Sequence, residues 1–326
     1  MVSRKKINHK NQDRKNKTHK TQINMDLKPK ERKENKKKIN CNPLVRNRTI
    51  VSNTCYTPDA ITVIKDAYNK EHPTTPILAI YPKEIWREIQ SRFTYCSKED
   101  CWLEQIKDTK MRKQLDEMLF APDQPPEWKQ NPNEWLSNFD IAAVLKQYEQ
   151  SHPHFRLLGP TPIDYDAKDE TNGGQCVWED LCSISIADLH KKGKTNLGIV
   201  FNLDPHYEKG LHWTSMFVDM KHASIFYYDS ALYPFPKEVN RLKKEIIKQG
   251  ALMNPPILFK FKRNTNRHQN SSSECGMYCL FFIITYLTSE TEFMKNMTMK
   301  QKIDLFCKKR IPDKYVEKYR TIYFNA

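Results

Sequence analysis

The polar stretch Arg267 to Glu274 gives way abruptly to the apolar run that begins Cys275-Gly276-Met277-Tyr278-Cys279. A cysteine at that junction sits at the start of a predicted helix, where unsatisfied N–H groups and the positive end of the helix dipole favour S⁻ over SH. Three further groups upstream complete a nucleophilic set. His212 opens one strand-like run, Asp229 closes the next, and Gln269 lies six residues before Cys275. In this reading Cys275 supplies the thiolate, and His212 takes its proton and later gives one to a leaving amine. Asp229 fixes the tautomer of the imidazole and stabilises its cation. Gln269 donates its side-chain NH₂ to a developing oxyanion, helped by a backbone N–H near Cys275. Gly276 removes a Cβ beside the nucleophile and is expected to leave room for substrate. Glu274 would oppose a thiolate, so its carboxylate is expected to point outward.

Each of these residues has a plainer reading. A cysteine leading an apolar helix is more often a packed core thiol, as Cys279 is expected to be one turn further on. His206 and His268 compete for the role of base, and Asp219 for that of acid. It is the order His, Asp, Gln, Cys that selects the hydrolytic reading. Metal chemistry is not implied. The spacings Cys96-x₄-Cys101, Cys176-x₅-Cys182 and Cys275-x₃-Cys279 contain no C-x₂-C pair. No organic cofactor is implied either.

The elements that must hold these groups can be read from periodicity. Leu197–Leu203, His212–Val218, Ala223–Tyr228 and Ile257–Phe261 read as strands, and residues 275–288 as a buried helix. A hairpin centred on Met220-Lys221 would set His212 directly opposite Asp229, within the reach of a hydrogen bond. Helices are predicted from Thr57-Pro58-Asp59 onward, over Lys83–Phe93, over Met111–Phe120, from Glu134 to about Glu149, over 179–191 and over 236–249. The prolines of residues 121–133 mark a boundary. The expected division is a disordered basic arm over 1–50, a mainly helical region over 51–130, and the hydrolytic domain over 131–326.

These residues resemble the ubiquitin-like-protein-specific cysteine proteases, the group of the SUMO-deconjugating enzymes and the adenoviral endopeptidase. The shared pattern stands here as His212-Trp213, Tyr228-Asp229-Ser230 and Gln269-(five residues)-Cys275-Gly276. Upstream, Trp135-Leu136-Ser137-Asn138 is similar to the Trp-Leu-x-Asp/Asn segment of the SUMO proteases. Gly198 to His206, the short gap to His212-Trp213, and Arg267-His268-Gln269 look like the proteases of large DNA viruses, of the giant-virus and asfivirus type. Ser271-Ser272-Ser273 departs from the residues usual in relatives. The resemblance implies an α+β fold with a mixed central sheet flanked by helices, the papain-like superfold of the SUMO-protease type, carrying a helical N-terminal region. It implies that Trp135 and Trp213 clamp a narrow Gly-Gly tail. It also implies an endopeptidase that cuts structural precursors after Gly-Gly-type sites during virion maturation, in the virion and the viral factory of the host cytoplasm. A deconjugase acting on SUMO or another ubiquitin-like modifier would share the whole site. A non-enzymatic basic virion protein is the third reading.

Composition limits the partners. Residues 1–40 carry fifteen Lys and Arg against four acids, most of the chain's net charge of +15. So charged and so poor in apolar residues, this segment cannot offset its ordering entropy by burial, and it is expected to contact nucleic acid or an acidic surface. No apolar stretch reaches the length of a membrane span, and no apolar h-region follows the basic start, so secretion is not expected. With nine cysteines and no export signal, free thiols in a reducing compartment are expected, Cys176 and Cys182 among them.

Overall fold

The computed structural model describes residues 39–169, 173–288 and 296–326. The basic arm expected over 1–50 lies largely outside the described residues. The first helices follow their sequence signals. Helix α1 (Pro58–Glu71) starts where Thr57 accepts a hydrogen bond from the Ala60 N–H, with Pro58 at its first position. Helices α2 (Pro82–Arg92) and α3 (Thr109–Leu119) fall within two residues of expectation. Ile61, Ile64, Ile85, Ile89 and Leu119 bury one face of these helices against Tyr56 and Trp102, which makes a core of their own. Trp102 lies in a 3-10 helix over Glu99–Gln105.

Helix α4 spans Asn138–Ser151 rather than starting at Glu134. Ser137 and Asp140 form a reciprocal capping box there, which stops the helix and leaves Trp135-Leu136 extended in front of it. The strands after it are β1 (Phe155–Pro162), β2 (Lys168–Asp169) and β3 (Gln175–Cys176), the last two a small separate pair. Residues 179–191 form two short helices rather than one, α5 (Glu179–Cys182) and α6 (Ile186–Lys191), because the Ser185 side chain caps a new start.

Strands β4 (Asn196–Asn202), β5 (Trp213–Asp219) and β6 (Ser224–Tyr228) form the centre of a five-stranded sheet in the order β1-β4-β5-β6, completed by β7 (Lys260–Arg263). β1 pairs parallel with β4, and β7 pairs parallel with β6, whereas β4–β5 and β5–β6 are antiparallel. Helix α7 (Lys237–Ala251) is the crossover that makes the last pair parallel. β7 begins three residues later than expected and is an exposed edge, so its position follows from pairing rather than from an apolar run. Strand β1 had no clean signal because Gly159-Pro160 interrupts it. Gly159 has φ +98°, and a Cβ there would stand 2.7 Å from the Val200 carbonyl oxygen.

Both faces of the sheet are buried, which is why its central strands read as near-continuous apolar runs. Phe217, Phe226 and Tyr228 face helix α8 (Cys275–Thr288), and Met216, Val218, Ile225 and Tyr227 face Val239, Leu242 and Ile246 of α7. Helix α8 has the predicted bounds and is buried from Cys275 through Tyr286. Three helices had no sequence prediction: α9 (Met299–Lys308), α10 (Asp313–Glu317) and α11 (Arg320–Tyr323) pack against α8 through Phe306, Val316 and Tyr323. The α+β architecture with a mixed sheet flanked by helices is thus present. Among the described residues no helix is long and apolar enough to cross a membrane.

Six cysteines form disulfides, Cys41–Cys55, Cys96–Cys101 and Cys176–Cys182, where free thiols were expected. The partners are 14, 5 and 6 residues apart, so local loops bring their Cα atoms within bonding reach. Cys275, Cys279 and Cys307 are free.

Candidate active site

The first three site groups meet at one end of the sheet. His212 lies just before β5, Asp229 just after β6, and Cys275 at the first position of α8. The hairpin register differs from the expected one: Ser215 pairs with Tyr228 and Met216 with Tyr227, so the turn is centred one residue later. His212 and Asp229 are therefore diagonal rather than opposed, but a shift of two positions keeps both side chains on the same face. The His212 Nε2 lies 2.7 Å from Asp229 Oδ1. The Cys275 side chain lies near enough to the imidazole to act on its charge. Burial pushes the imidazole down, but its hydrogen bonds to Asp229 and Cys275, with the charges they carry, outweigh this and hold it up at about 9.

Asp229 is 2% exposed, and both of its carboxylate oxygens accept hydrogen bonds. Its Oδ1 also accepts from the Ala231 N–H at 2.9 Å, and its Oδ2 accepts from the Tyr233 N–H at 2.7 Å. Its backbone is clamped by Asn264, whose Oδ1 accepts from the Asp229 N–H at 3.0 Å and whose Nδ2 donates to the Asp229 carbonyl at 2.7 Å. The Tyr233 ring meets the His212 ring edge to face, with centroids 4.9 Å apart. The turn after Asp229 continues into the fourth site residue. Ser230 accepts from the Gln269 N–H through its carbonyl at 2.9 Å and donates its hydroxyl to Gln269 Oε1 at 2.7 Å. Gln269 Nε2 donates one hydrogen to the Ser271 carbonyl, which leaves its second N–H for a ligand.

The rival groups are occupied elsewhere. His206 pairs with Asp164, and Asp219 pairs with His222 at the hairpin turn. His268 is fully buried between the Phe306 carbonyl and the Ile311 N–H, and burial pushes it down to about 4. Burial likewise pushes the Cys279 thiol well above its usual range, as for a core thiol. Among the described residues the group near enough for a metal is Cys176, Glu179 and Cys182, and its two sulfurs are bonded to each other.

The adenovirus endoprotease family model matches residues 187–321. A candidate thiol protease of Acanthamoeba polyphaga mimivirus is 26% identical over 258 residues, 73% of this chain and 82% of the relative. A SUMO-1 cysteine protease of African swine fever virus is 27% identical over 74% of this chain and 88% of its own length. The chain is a cysteine protease. A crystal structure of an African swine fever virus protease shares the fold, with a TM-score of 0.57 at 23% identity, covering 88% of this chain and 98% of that one. The adenoviral part of the resemblance seen in the motifs is thus matched over residues 187–321, and the giant-virus and asfivirus part over about three quarters of the chain.

The expected clamp residues lie close to one another in the structure. Trp213 is buried, and its Nε1 donates to the Leu136 carbonyl at 3.0 Å, so the half-buried Trp135 is tied beside it. Gly276 does not open space for substrate. A Cβ there would meet the Leu136 Cβ at 3.0 Å, so the missing side chain lets α8 pack against the segment that carries Trp135. Glu274 does not point outward either. It is fully buried and grips Arg320 of α11 at 2.7 and 3.2 Å. Burial raises its carboxyl and Arg320 opposes that rise. No local signal marks Asn264 or Arg320, whose partners lie 35 and 46 residues away, or the ring of Tyr233, which meets His212 across the turn. A cavity of about 440 Å³ is lined by Arg320, Trp128 and Phe324 but by none of His212, Asp229 or Cys275.

Proposed function

We propose that Cys275, His212 and Asp229 form the catalytic triad of an endopeptidase that cuts after Gly-Gly-type sites in viral structural precursors. The observation that carries the assignment is the 2.7 Å contact of Asp229 with His212, on whose ring Cys275 at the start of α8 also acts. The Cys275 sulfur attacks the carbonyl carbon of the glycine before the cut, and the oxygen becomes an oxyanion. Gln269, through its second N–H, and a backbone N–H at the helix start receive that charge. His212 passes the proton taken from the thiol to the departing amine as the C–N bond breaks, leaving a thioester. A water then attacks the thioester, giving its proton to His212, and the released thiolate recovers the starting pair. Trp135 and Trp213 suit a substrate tail without side chains, which favours glycine before the cut.

The viral sources of the relatives support a precursor substrate, with the protease in the virion and the host-cell viral factory. The basic segment 1–40 would hold it to nucleic acid or an acidic surface, while region 51–130 accompanies the 131–326 protease domain. The SUMO-1 protease name of one relative supports a second reading, deconjugation of a ubiquitin-like modifier. Wild-type protein and Cys275→Ala are to be incubated with Gly-Gly-X peptides and with folded ubiquitin-like precursors. Turnover of the peptides by wild type alone is expected. Equal turnover by both proteins would remove Cys275 as nucleophile, and cleavage of the folded modifiers alone would favour the deconjugase.

A further inference from the structure

We infer that Arg320, outside the triad, is a positioning residue that sets the charge beside Cys275 and holds the Trp135 segment from the same guanidinium. This rests on Cys275 being the nucleophile. Glu274 precedes Cys275 directly, and its carboxylate has no water to screen it, since its side chain is 1% exposed and that of Arg320 is 6% exposed. A bare carboxylate in that place would resist formation of the thiolate. Arg320 answers it with two hydrogen bonds, from Nη2 to Oε1 and from Nε to Oε2, the fork geometry that a lysine cannot reproduce.

The remaining donors of the same group reach the other wall of the site. Arg320 Nη1 donates to the Glu134 carbonyl at 3.0 Å, and Nη2 approaches the Asn133 carbonyl at 3.5 Å. The Trp128 indole N–H shares that Glu134 carbonyl, and the guanidinium lies over the Trp128 ring at 4.3 Å. The next residue is Trp135. One side chain of α11, 45 residues beyond the cysteine, thus ties the start of α8 to the segment proposed to grip substrate. The other ionisable groups near this pair are accounted for. Glu317 of α10 adds negative charge near Glu274. Tyr278 hydrogen-bonds Asp313, which also meets Arg310. His212 and Cys279 are the titratable neighbours that Cys275 itself acts on, from the sheet and from the next turn of α8.

The test measures the pH dependence of Cys275 alkylation by iodoacetamide, read on the Cys275 peptide by mass spectrometry, together with kcat and KM on a Gly-Gly-X peptide. Arg320→Met leaves the carboxylate alone, and the midpoint of the profile is expected at higher pH, with alkylation at neutral pH roughly tenfold slower. Glu274→Gln leaves the guanidinium alone, and the midpoint is expected to move the opposite way. The double variant is expected to restore the midpoint while KM stays raised, because the Asn133 and Glu134 carbonyls remain unheld. Arg320→Lys is expected to fall between Arg320→Met and wild type. Folded single variants that keep the wild-type profile, or that shift it in the same direction, would overturn the inference and leave the pair a structural one. If Arg320→Met does not fold, the direction of the Glu274→Gln shift decides. The separate loss of turnover in Cys275→Ala reports on the nucleophile, so the two failures are distinguishable.

Discussion

His212 and His268 are both buried and both lie at the margin of α8, yet their titrations go opposite ways. His268 meets a backbone carbonyl and a backbone N–H, so nothing charged offsets its burial, and it is pushed down to about 4. His212 meets a carboxylate and a thiol, and these outweigh a similar burial and lift it to about 9. Burial alone therefore does not set the direction of a histidine's shift. The nature of its partners does. One ring is a structural pin between the Gln269 loop and the C-terminal helices, and the other is poised to hold a proton beside a sulfur.

The comparison is broken most directly at Asp229. Asp229→Asn keeps the shape but removes the charge, and kcat is expected to fall by roughly 10³–10⁴ as the imidazole loses its tautomer control and cation stabilisation. A kcat within tenfold of wild type would place the working acid elsewhere. At the other ring, His268→Ala leaves the Phe306 carbonyl and Ile311 N–H unpaired, costing about 3 kcal/mol in denaturant unfolding, with kcat of the folded protein changed only severalfold. A loss of kcat by hundreds would give His268 a chemical role.

The pH dependence sharpens the same contrast. His268 has a folded value near 4 against an ordinary value of 6.5, so its contribution is full above 6.5 and lost as pH falls towards 4. That loss is about 3 kcal/mol and should vanish in His268→Ala. His212 has a raised folded value, so its contribution is full below 6.5 and lost as pH rises through about 9. Denaturation midpoints measured across pH 4–9 check both signs. The smallest effect is expected at Asn264. Asn264→Ala loosens the Asp229 backbone without touching its charge, lowering kcat/KM by about tenfold. An unchanged rate would mean that the Ala231 and Tyr233 N–H groups alone hold the carboxylate.

Much of this site was legible because its signals are local. The cap at Thr57, the apolar run from Cys275 and the buried strands around His212 and Asp229 each need only neighbouring residues to declare themselves. The hairpin register was missed by one residue at its centre because no tight-turn pair pins it, and Asp219 and His222 close a longer turn through their own hydrogen bonds. The predicted meeting of His212 and Asp229 survived that error because side-chain facing alternates with a period of two. Glu274 was misjudged for a different reason. A buried acid needs a partner, and Arg320 lies 46 residues further along the chain.

By itself, then, the sequence determined the order of the reactive groups and the elements that carry them, since helix caps and apolar periodicity act over a few residues. Only the tertiary structure decided the pairing register, the addition of β1 and β7 to the sheet, the packing role of Gly276 and the neutralisation of Glu274. Those outcomes depend on which distant groups arrive together in a space closed to water, where an unmatched charge or N–H is too costly to leave alone.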